Sequence, residues 1–417
     1  MTADAHAVVA ATWRLESARI VAGLLRMVRD VALAEDLAQE AFAAALEQWP
    51  TSGVPDNPRG WLMTVAKRRA VDHFRRLERL RSKQEELYWS LGPGQSQIPD
   101  FEGLVDHIED DVLRLMFISC HPALSREAQV ALTLRLLGGL TTEEIARSFL
   151  VKPATVGQRI SRAKRVLAEV GVPLDLPTGE ERKARLSAVM EVVYLVFNEG
   201  YTATSGDDWL RPALCDEARR LARMLVSLAP EEPEAHGLQA LLDLQASRLP
   251  ARLGDDGEPV LLADQDRRRW DHRLVRRGLE ALDRADRLAA RGTPIGPFVL
   301  QAEIAACHAR SPSVERTDWP RIAQLYDGLV HVMPSPVVEV NRAVAHGMAF
   351  GPEAGLVVLD KVDTDSVKTY HLLPSVRGDL LARLGRTEEA REQFRLAASL
   401  TRNQREKRLL LARASSG

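Results

Sequence analysis

The chain has 417 residues and a formal net charge of −2. This length exceeds the usual size of one compact core, so we expect more than one domain. Apolar residues make up 45% and charged residues 27%, values that exclude an intrinsically disordered protein. No apolar run reaches the roughly 18 residues of a membrane span, and the N-terminus lacks the features of a signal peptide. We therefore expect a cytoplasmic protein without membrane contact.

The three cysteines, Cys120, Cys215 and Cys307, are widely spaced and odd in number. This pattern fits neither a disulfide framework nor paired CxxC metal units, so we expect buried structural thiols. The neighbouring histidines His121 and His308 lack the close ligand spacing of structural zinc sites. We therefore predict no metal site and no cofactor.

Charge is distributed unevenly along the chain. Eight basic residues and two acids lie between positions 67 and 83, and six basic residues without any acid lie between 147 and 165. Between them, positions 100–111 hold six acids and no lysine or arginine. Because DNA binding depends on local rather than net charge, the two basic segments are candidate nucleic-acid contacts.

The pattern of residues predicts an all-α fold, since strand-type alternation is nearly absent and Ala, Leu, Arg and Glu dominate. Segments rich in Pro and Gly at 91–99 and 171–179 interrupt the helical pattern. They predict a helical domain at 1–90, an acidic linker at 91–111, a helix-turn-helix domain at 112–175 and a helical C-terminal domain at 180–417.

The first helix pair combines an acidic face with a basic helix. The periodicity predicts one helix with Leu33, Leu37, Phe42, Leu46 and Trp49 inward and with Asp36, Gln39, Glu40 and Ala43 outward. Asn57 and Pro58 then predict the cap and first turn of a second helix. Its candidate phosphate contacts are Lys67, Arg68, Arg75 and Arg76, and Trp61 is a candidate for stacking on an unpaired base. The alternatives are solvated helix faces and a core tryptophan.

The second basic segment predicts a helix-turn-helix. Thr141 and Glu144 have capping-box spacing, and Pro153 suits the first turn of the next helix. That helix should place Val156, Ile160, Ala163 and Leu167 inward and Thr155, Gln158, Arg159 and Arg162 outward. Arg and Gln side chains suit base edges in the major groove, while Lys152, Lys164 and Arg165 suit phosphates. Structural helix packing is the alternative interpretation.

Both segments resemble one family. The blocks 34–42, 57–66 and 70–76 resemble region 2 of the extracytoplasmic-function sigma factors of the sigma-70 superfamily, and 124–129 with 141–165 resembles region 4. The resemblance implies that Asp36, Gln39 and Glu40 contact the coiled coil of the largest subunit of core RNA polymerase. It also implies promoter DNA as a partner, with region 2 binding the −10 element and region 4 the −35 element.

Two details qualify the resemblance. Arg68 and Arg69 stand where the family often has asparagine and an aliphatic residue, so the identity of the −10 bases stays open. In this family the segment between the domains enters the polymerase cleft, where the acids of 100–111 would mimic a nucleic-acid backbone. The alternative for that segment is a solvated flexible linker.

The C-terminal half has a helical-repeat pattern. Gly378, Leu381, Gly385, Ala390, Phe394 and Ala397 have the spacing of one tetratricopeptide (TPR) helix pair. The segments 194–201, 255–262 and 264–271 resemble the sigma subgroup with a TPR-like C-terminal domain, which implies that this domain regulates sigma activity. Such a surface usually binds a peptide or a helix, and the sigma domains of the same chain are one candidate partner.

The leading hypothesis is an alternative sigma factor without an enzymatic site. A stand-alone helix-turn-helix regulator with a ligand-binding helical domain is the first alternative. The second is a helical hydrolase, in which acids such as Glu199, Asp264, Asp266 and Asp271 would converge with Arg267. Against it, these acids also suit helix caps and arginine pairs.

Overall fold

The computed structural model describes residues 2–87, 108–149, 151–171, 175–201, 210–254, 260–362, 370–401 and 404–415. These residues form helices and connecting turns without a β-strand, which confirms the all-α prediction. Most of the predicted acidic linker and residues 255–259 lie outside the described residues. Contacts divide the chain into one unit at 1–192 and another at 193–417. None of the described helices is long and apolar enough to cross a membrane.

The described residues of the first unit form seven helices and the beginning of an eighth. Their bounds are α1 (Thr2–Val28), α2 (Val31–Ser52), α3 (Pro58–Leu87), α4 (Ile108–Ser119), α5 (Arg126–Leu136), α6 (Thr142–Ser148), α7 (Pro153–Val170) and α8 (Gly179–Tyr201). Helix α1 packs against α2, α3 and α4, so it forms the centre of this unit. Helix α8 continues into the second unit.

Helix α2 buries a stripe that includes Leu37, Phe42 and Trp49, as predicted. The predicted inward position of Leu46 is wrong, because its exposed fraction is 41%. The stripe instead contains small alanine residues, and Glu35 beside them is also buried. Asp30 caps the helix by accepting a hydrogen bond from the amide of Leu33 at 2.8 Å.

The predicted helix-turn-helix is formed by α6 and α7. The hydroxyl of Thr141 accepts from the amide of Glu144 at 3.1 Å, and the Glu144 carboxylate accepts from the amide of Thr141 at 2.8 Å. Pro153 occupies the first turn of α7, where a missing amide hydrogen costs nothing. The four residues that were predicted to face inward are buried: Val156, Ile160, Ala163 and Leu167.

The second unit consists of antiparallel helix pairs. After α8 its helices are α9 (Pro212–Leu228), α10 (Pro233–Ala246), α11 (His272–Ala289), α12 (Pro297–Arg310), α13 (Trp319–Val332), α14 (Pro336–Phe350), α15 (Pro352–Leu359), α16 (Leu372–Arg383), α17 (Thr387–Leu400) and α18 (Gln404–Ser415). Neighbours in sequence pack on each other through most of the unit. Between α10 and α11 the described residues form short 3₁₀ turns at Leu249–Ala251, Leu262–Asp264 and Arg267–Arg269.

The predicted TPR pair is α16 and α17. A side-chain carbon at Gly378 would lie 2.8 Å from the ring of Phe394, so only glycine lets the helices approach this closely. Gly385 joins the helices with φ +72°, a conformation that favours glycine. Leu381, Ala390 and Phe394 belong to the core that the pair forms with α18.

The cysteines are confirmed as buried free thiols, since none of the three forms a disulfide. Burial raises the pKa of Cys120 and of Cys215 to about 12. These two thiols stay protonated at neutral pH, which fits a structural role.

Replacement of Gly378 by alanine should destabilise the second unit by about 1–3 kcal/mol, because the added methyl group overlaps the Phe394 ring. Gly328 in α13 is a matched control, since an added carbon there meets no atom within 4 Å. Gly328→Ala should stabilise by up to about 1 kcal/mol through helix propensity. Urea denaturation followed by circular dichroism measures both changes. Equal effects of the two substitutions would contradict the proposed close packing.

Candidate nucleic-acid interface

Helix α3 presents an exposed basic face. Arg68, Arg75 and Arg76 are exposed and Lys67 is half-buried, and none of these four forms an ion pair with another described residue. Asn57 caps the helix by accepting from the amide of Gly60 at 2.9 Å, as predicted. The cations therefore lie on a regular helix with their charges available to phosphates.

Trp61 lies at the start of this helix and is half-buried. Its ring packs edge-on against the buried Trp49, with 5.5 Å between ring centroids. This contact holds the Trp61 indole in place and supports both interpretations of the residue, as a core contact and as a platform for an unpaired base.

Helix α7 presents the second basic face. Gln158, Arg162 and Arg165 are exposed, as is Lys152 at the N-cap, while Thr155 and Arg159 are half-buried. Among the described residues, none of these four cations forms an ion pair. The helix therefore has the side chains and the exposure that a major-groove reading helix requires.

Lys164 is oriented differently from its neighbours on α7. Its ammonium lies 2.5 Å from one carboxylate oxygen of Glu35, and Arg135 lies 2.6 Å from the other oxygen. Glu35 is only 3% exposed. In this arrangement the ammonium of Lys164 is paired with Glu35 and is not available to a phosphate.

Glu35 was not among the predicted site residues. Burial raises the pKa of this carboxyl, but the charges and hydrogen bonds of Lys164 and Arg135 outweigh burial and hold its pKa below the usual range. The group is therefore ionised at neutral pH. Its contribution to stability is present above the ordinary pKa of glutamate and is lost as the pH falls through the lowered value.

Further contacts join α1 to the helix-turn-helix segment. The Trp13 indole donates to the carbonyl of Gly139 at 2.7 Å, and Arg14 pairs with Glu144 at 2.7 Å. Gly139 has φ +64°, and a side-chain carbon there would lie 2.9 Å from the hydroxyl of Ser17. Helices α1 and α2 thus pack against the helix-turn-helix segment within one unit, which the sequence did not indicate.

The predicted polymerase contacts lie at or beside this packing. Asp36 is exposed and lines a cleft of about 580 Å³ together with Arg165 of α7. Gln39 is half-buried and donates to Glu35 at 2.6 Å. Glu40 is exposed and pairs with Arg69 of α3 at 2.8 Å. These three residues share one side of α2, but each has a different environment.

The acids of the second unit do not converge as the hydrolase hypothesis requires. Asp266 accepts from the amide of Arg268, and Asp271 caps α11 by accepting from the amide of Arg273 at 2.9 Å. Glu199 instead pairs with Arg211. No group of three or more potential metal ligands occurs in the described part of the chain. Capping and pairing therefore account for Glu199, Asp266 and Asp271.

Three family models match the chain. They are sigma-70 region 2 at residues 14–80, sigma-70 region 4 at 114–167, and a family of unknown function (DUF6596) at 185–286. The sigma-70 matches fall in order on the two segments with exposed basic faces. The third match covers the beginning of the C-terminal helical region.

Relatives extend these matches. An uncharacterized protein of Rhizobium meliloti is 44% identical over 91% of this chain and 89% of its own length. The probable ECF RNA polymerase sigma factor SigI of Mycobacterium tuberculosis is 28% identical over 42% of this chain and 60% of its own length. A tetratricopeptide repeat protein from Parabacteroides merdae is 14% identical, with a TM-score of 0.33 over 66% of this chain and 99% of that chain.

The order of the two sigma-70 regions and the named sigma relative agree with the two candidate DNA-binding segments. The antiparallel helix pairs after α8, with the close approach at Gly378, account for the TPR-like character of the remaining chain. The chain belongs to the extracytoplasmic-function sigma factors of the sigma-70 family and carries a TPR-like C-terminal extension.

Proposed function

We propose that this protein is an alternative sigma factor that directs core RNA polymerase to a specific set of promoters in the cytoplasm. Helix α3 binds and melts the −10 element, and α7 reads the −35 element. The main supporting observation is the pair of exposed basic helix faces, one in each sigma-70 region. Their outward cations, Lys67, Arg68, Arg75 and Arg76 on α3 and Lys152, Arg159, Arg162 and Arg165 on α7, form no ion pair with another described residue. This role needs base contacts and phosphate neutralisation and no catalytic site.

We further propose that α2 binds the coiled coil of the largest polymerase subunit through Asp36, Gln39 and Glu40. The exposed acids Asp36 and Glu40 support this assignment, because they can pair with basic residues of a partner helix.

The double substitution Asp36→Asn and Glu40→Gln should weaken core polymerase binding at least tenfold, since it removes two charges at little change in shape. Fluorescence anisotropy with labelled protein measures this affinity. Glu388→Gln is the control, because Glu388 is an exposed acid of the second unit that pairs with a neighbouring arginine, Arg391. Unchanged polymerase binding, together with tight promoter binding in the absence of polymerase, would favour a stand-alone regulator.

Arg75→Gln with Arg76→Gln should weaken promoter complexes formed with core polymerase and reduce their dependence on salt. Each lost phosphate contact lowers the slope of log K against log salt by roughly 0.7–0.9. The slope measured for the double variant should therefore be smaller in magnitude than the wild-type slope by roughly 1.5. Arg276→Gln, at an exposed position of α11, should leave the slope unchanged. A wild-type slope in the double variant would contradict the phosphate role of α3.

We also propose that the packing of the two sigma regions restrains promoter binding. Lys164 cannot pair with Glu35 and neutralise a phosphate at the same time, and Asp36 faces a cleft shared with α7. Full use of these residues would require α2 and α7 to separate. The C-terminal unit, as a regulatory domain, would then act on this equilibrium between packed and separated regions.

Glu35→Gln should favour the separated state, because it leaves Arg135 and Lys164 near a buried position without a counter-charge. Breaking a buried ion pair in this way costs about 3–5 kcal/mol. Faster amide hydrogen exchange in α2 and α7 and a larger radius of gyration by X-ray scattering are expected. Glu47→Gln, at an exposed site of the same helix, is the control. Exchange at the wild-type rate would count against the restraint.

A further inference from the structure

The second unit contains a cavity of about 620 Å³ that no assigned role uses. This volume lies in the range of small-molecule sites, roughly 300–1,000 Å³. Residues of α8, α10, α12, α13 and α14 and the segment at 370–372 line it. The wall combines aromatic rings with a few polar groups, which is the usual composition of a ligand site.

Arg248 lies in one wall of the cavity, and only 9% of its surface is exposed to solvent. Its side chain bonds to Gln245, but its Nε has no hydrogen-bond partner among the described residues. No described acid lies within ion-pair distance of its guanidinium. The ring centroids of Tyr201 and Trp270 lie 5.8 and 5.9 Å from the guanidinium carbon. Such cation–π contacts compensate only part of the positive charge.

Two other charged side chains of this unit, Asp243 and Arg267, have partners within the protein. Asp243 pairs with Arg219 at 2.7 Å and with Arg277 at 3.0 Å. Arg267 donates to the carbonyls of His308 and Ser311 at 2.8 and 2.6 Å, where it serves as a structural anchor. A buried cation without an anion is costly, so the partly unsatisfied guanidinium of Arg248 at the cavity wall favours an anionic ligand.

The rest of the wall suits a polar ring-bearing ligand. Four tyrosines line the cavity: Tyr194, Tyr201, Tyr326 and Tyr370. Burial raises the pKa of Tyr194 and Tyr326, so their hydroxyls remain neutral donors. The acid at the wall, Glu199, is already paired with Arg211. The uncompensated charge of the cavity is therefore positive.

We propose that this cavity binds a small organic anion, with its carboxylate or phosphate group on Arg248 and its body against the tyrosine rings. A guanidinium forms paired, charge-assisted hydrogen bonds with either group. The neighbouring amide side chains Gln245, Gln301 and Asn341 supply further polar contacts. The proposal concerns binding alone and does not depend on sigma activity.

The test is titration of the full-length protein with benzoate, phenyl phosphate and the neutral analogue phenol, followed by calorimetry and by tryptophan fluorescence. At least one anion should bind saturably and at least tenfold more tightly than phenol. The two anions distinguish a carboxylate ligand from a phosphate ligand. Absence of saturable binding by both anions would overturn the proposal.

Arg248→Met should weaken binding of that anion at least tenfold, because the charge-assisted contact is lost. Arg268→Met is the matched control, since the side chain of Arg268 is 91% exposed and pairs with Asp266 outside the cavity. Arg248→Lys keeps the buried charge and therefore tests the site even if the methionine variant does not fold. The Arg248→Lys variant should bind the anion severalfold more weakly than the wild type, because an ammonium lacks the planar, bidentate donor geometry of a guanidinium. Wild-type affinity in either folded Arg248 variant would overturn the proposal.

Discussion

The buried carboxylate of Glu35 fixes the arrangement of the first unit. It is held by Arg135 of α5 and Lys164 of α7, at 2.6 and 2.5 Å. A buried charge is tolerated only when its partners stay in place, so this group constrains three helices at once. Helices α5 and α7 belong to the region 4 match and α2 belongs to the region 2 match. The surfaces that polymerase and promoter would use are therefore coupled through one ionisable side chain.

This coupling places the basic residues of α7 in two different environments. Arg162 and Arg165 lie on the outer face, while Lys164 lies one helical turn after the buried Ile160 and beside the buried stripe. Helical spacing therefore distinguishes Lys164 from its neighbours. Charge alone predicts the same phosphate role for Lys164 and Arg165, because a basic run next to a helix-turn-helix usually contacts phosphates. The structure gives Lys164 an internal partner instead.

Features set by local chemistry were predictable from the sequence. The capping box at Thr141 and the approach of α16 to α17 at Gly378 depend on residues close in sequence, and both are present. The exposure of Leu46 and the burial of Glu35 depend on which helices pack against α2. Periodicity within one helix identifies its apolar side but not the partners along its edges. A prediction confined to single helices therefore missed the packing of the two sigma regions.

The same electrostatic rule explains why Arg248 suggests a ligand. In the first unit two cations compensate Glu35, and in the second two arginines compensate Asp243. Such arrangements make a buried charge part of the stable fold. Arg248 forms no ion pair with an acid among the described residues. It lies at a cavity whose wall includes residues within and beyond the DUF6596 match. Because binding an anion would supply the missing partner, the free energy of ligand binding would also stabilise the fold of the second unit. A helical extension built in this way can convert the concentration of a small molecule into a change in its own stability, which is the physical requirement for a sensor domain.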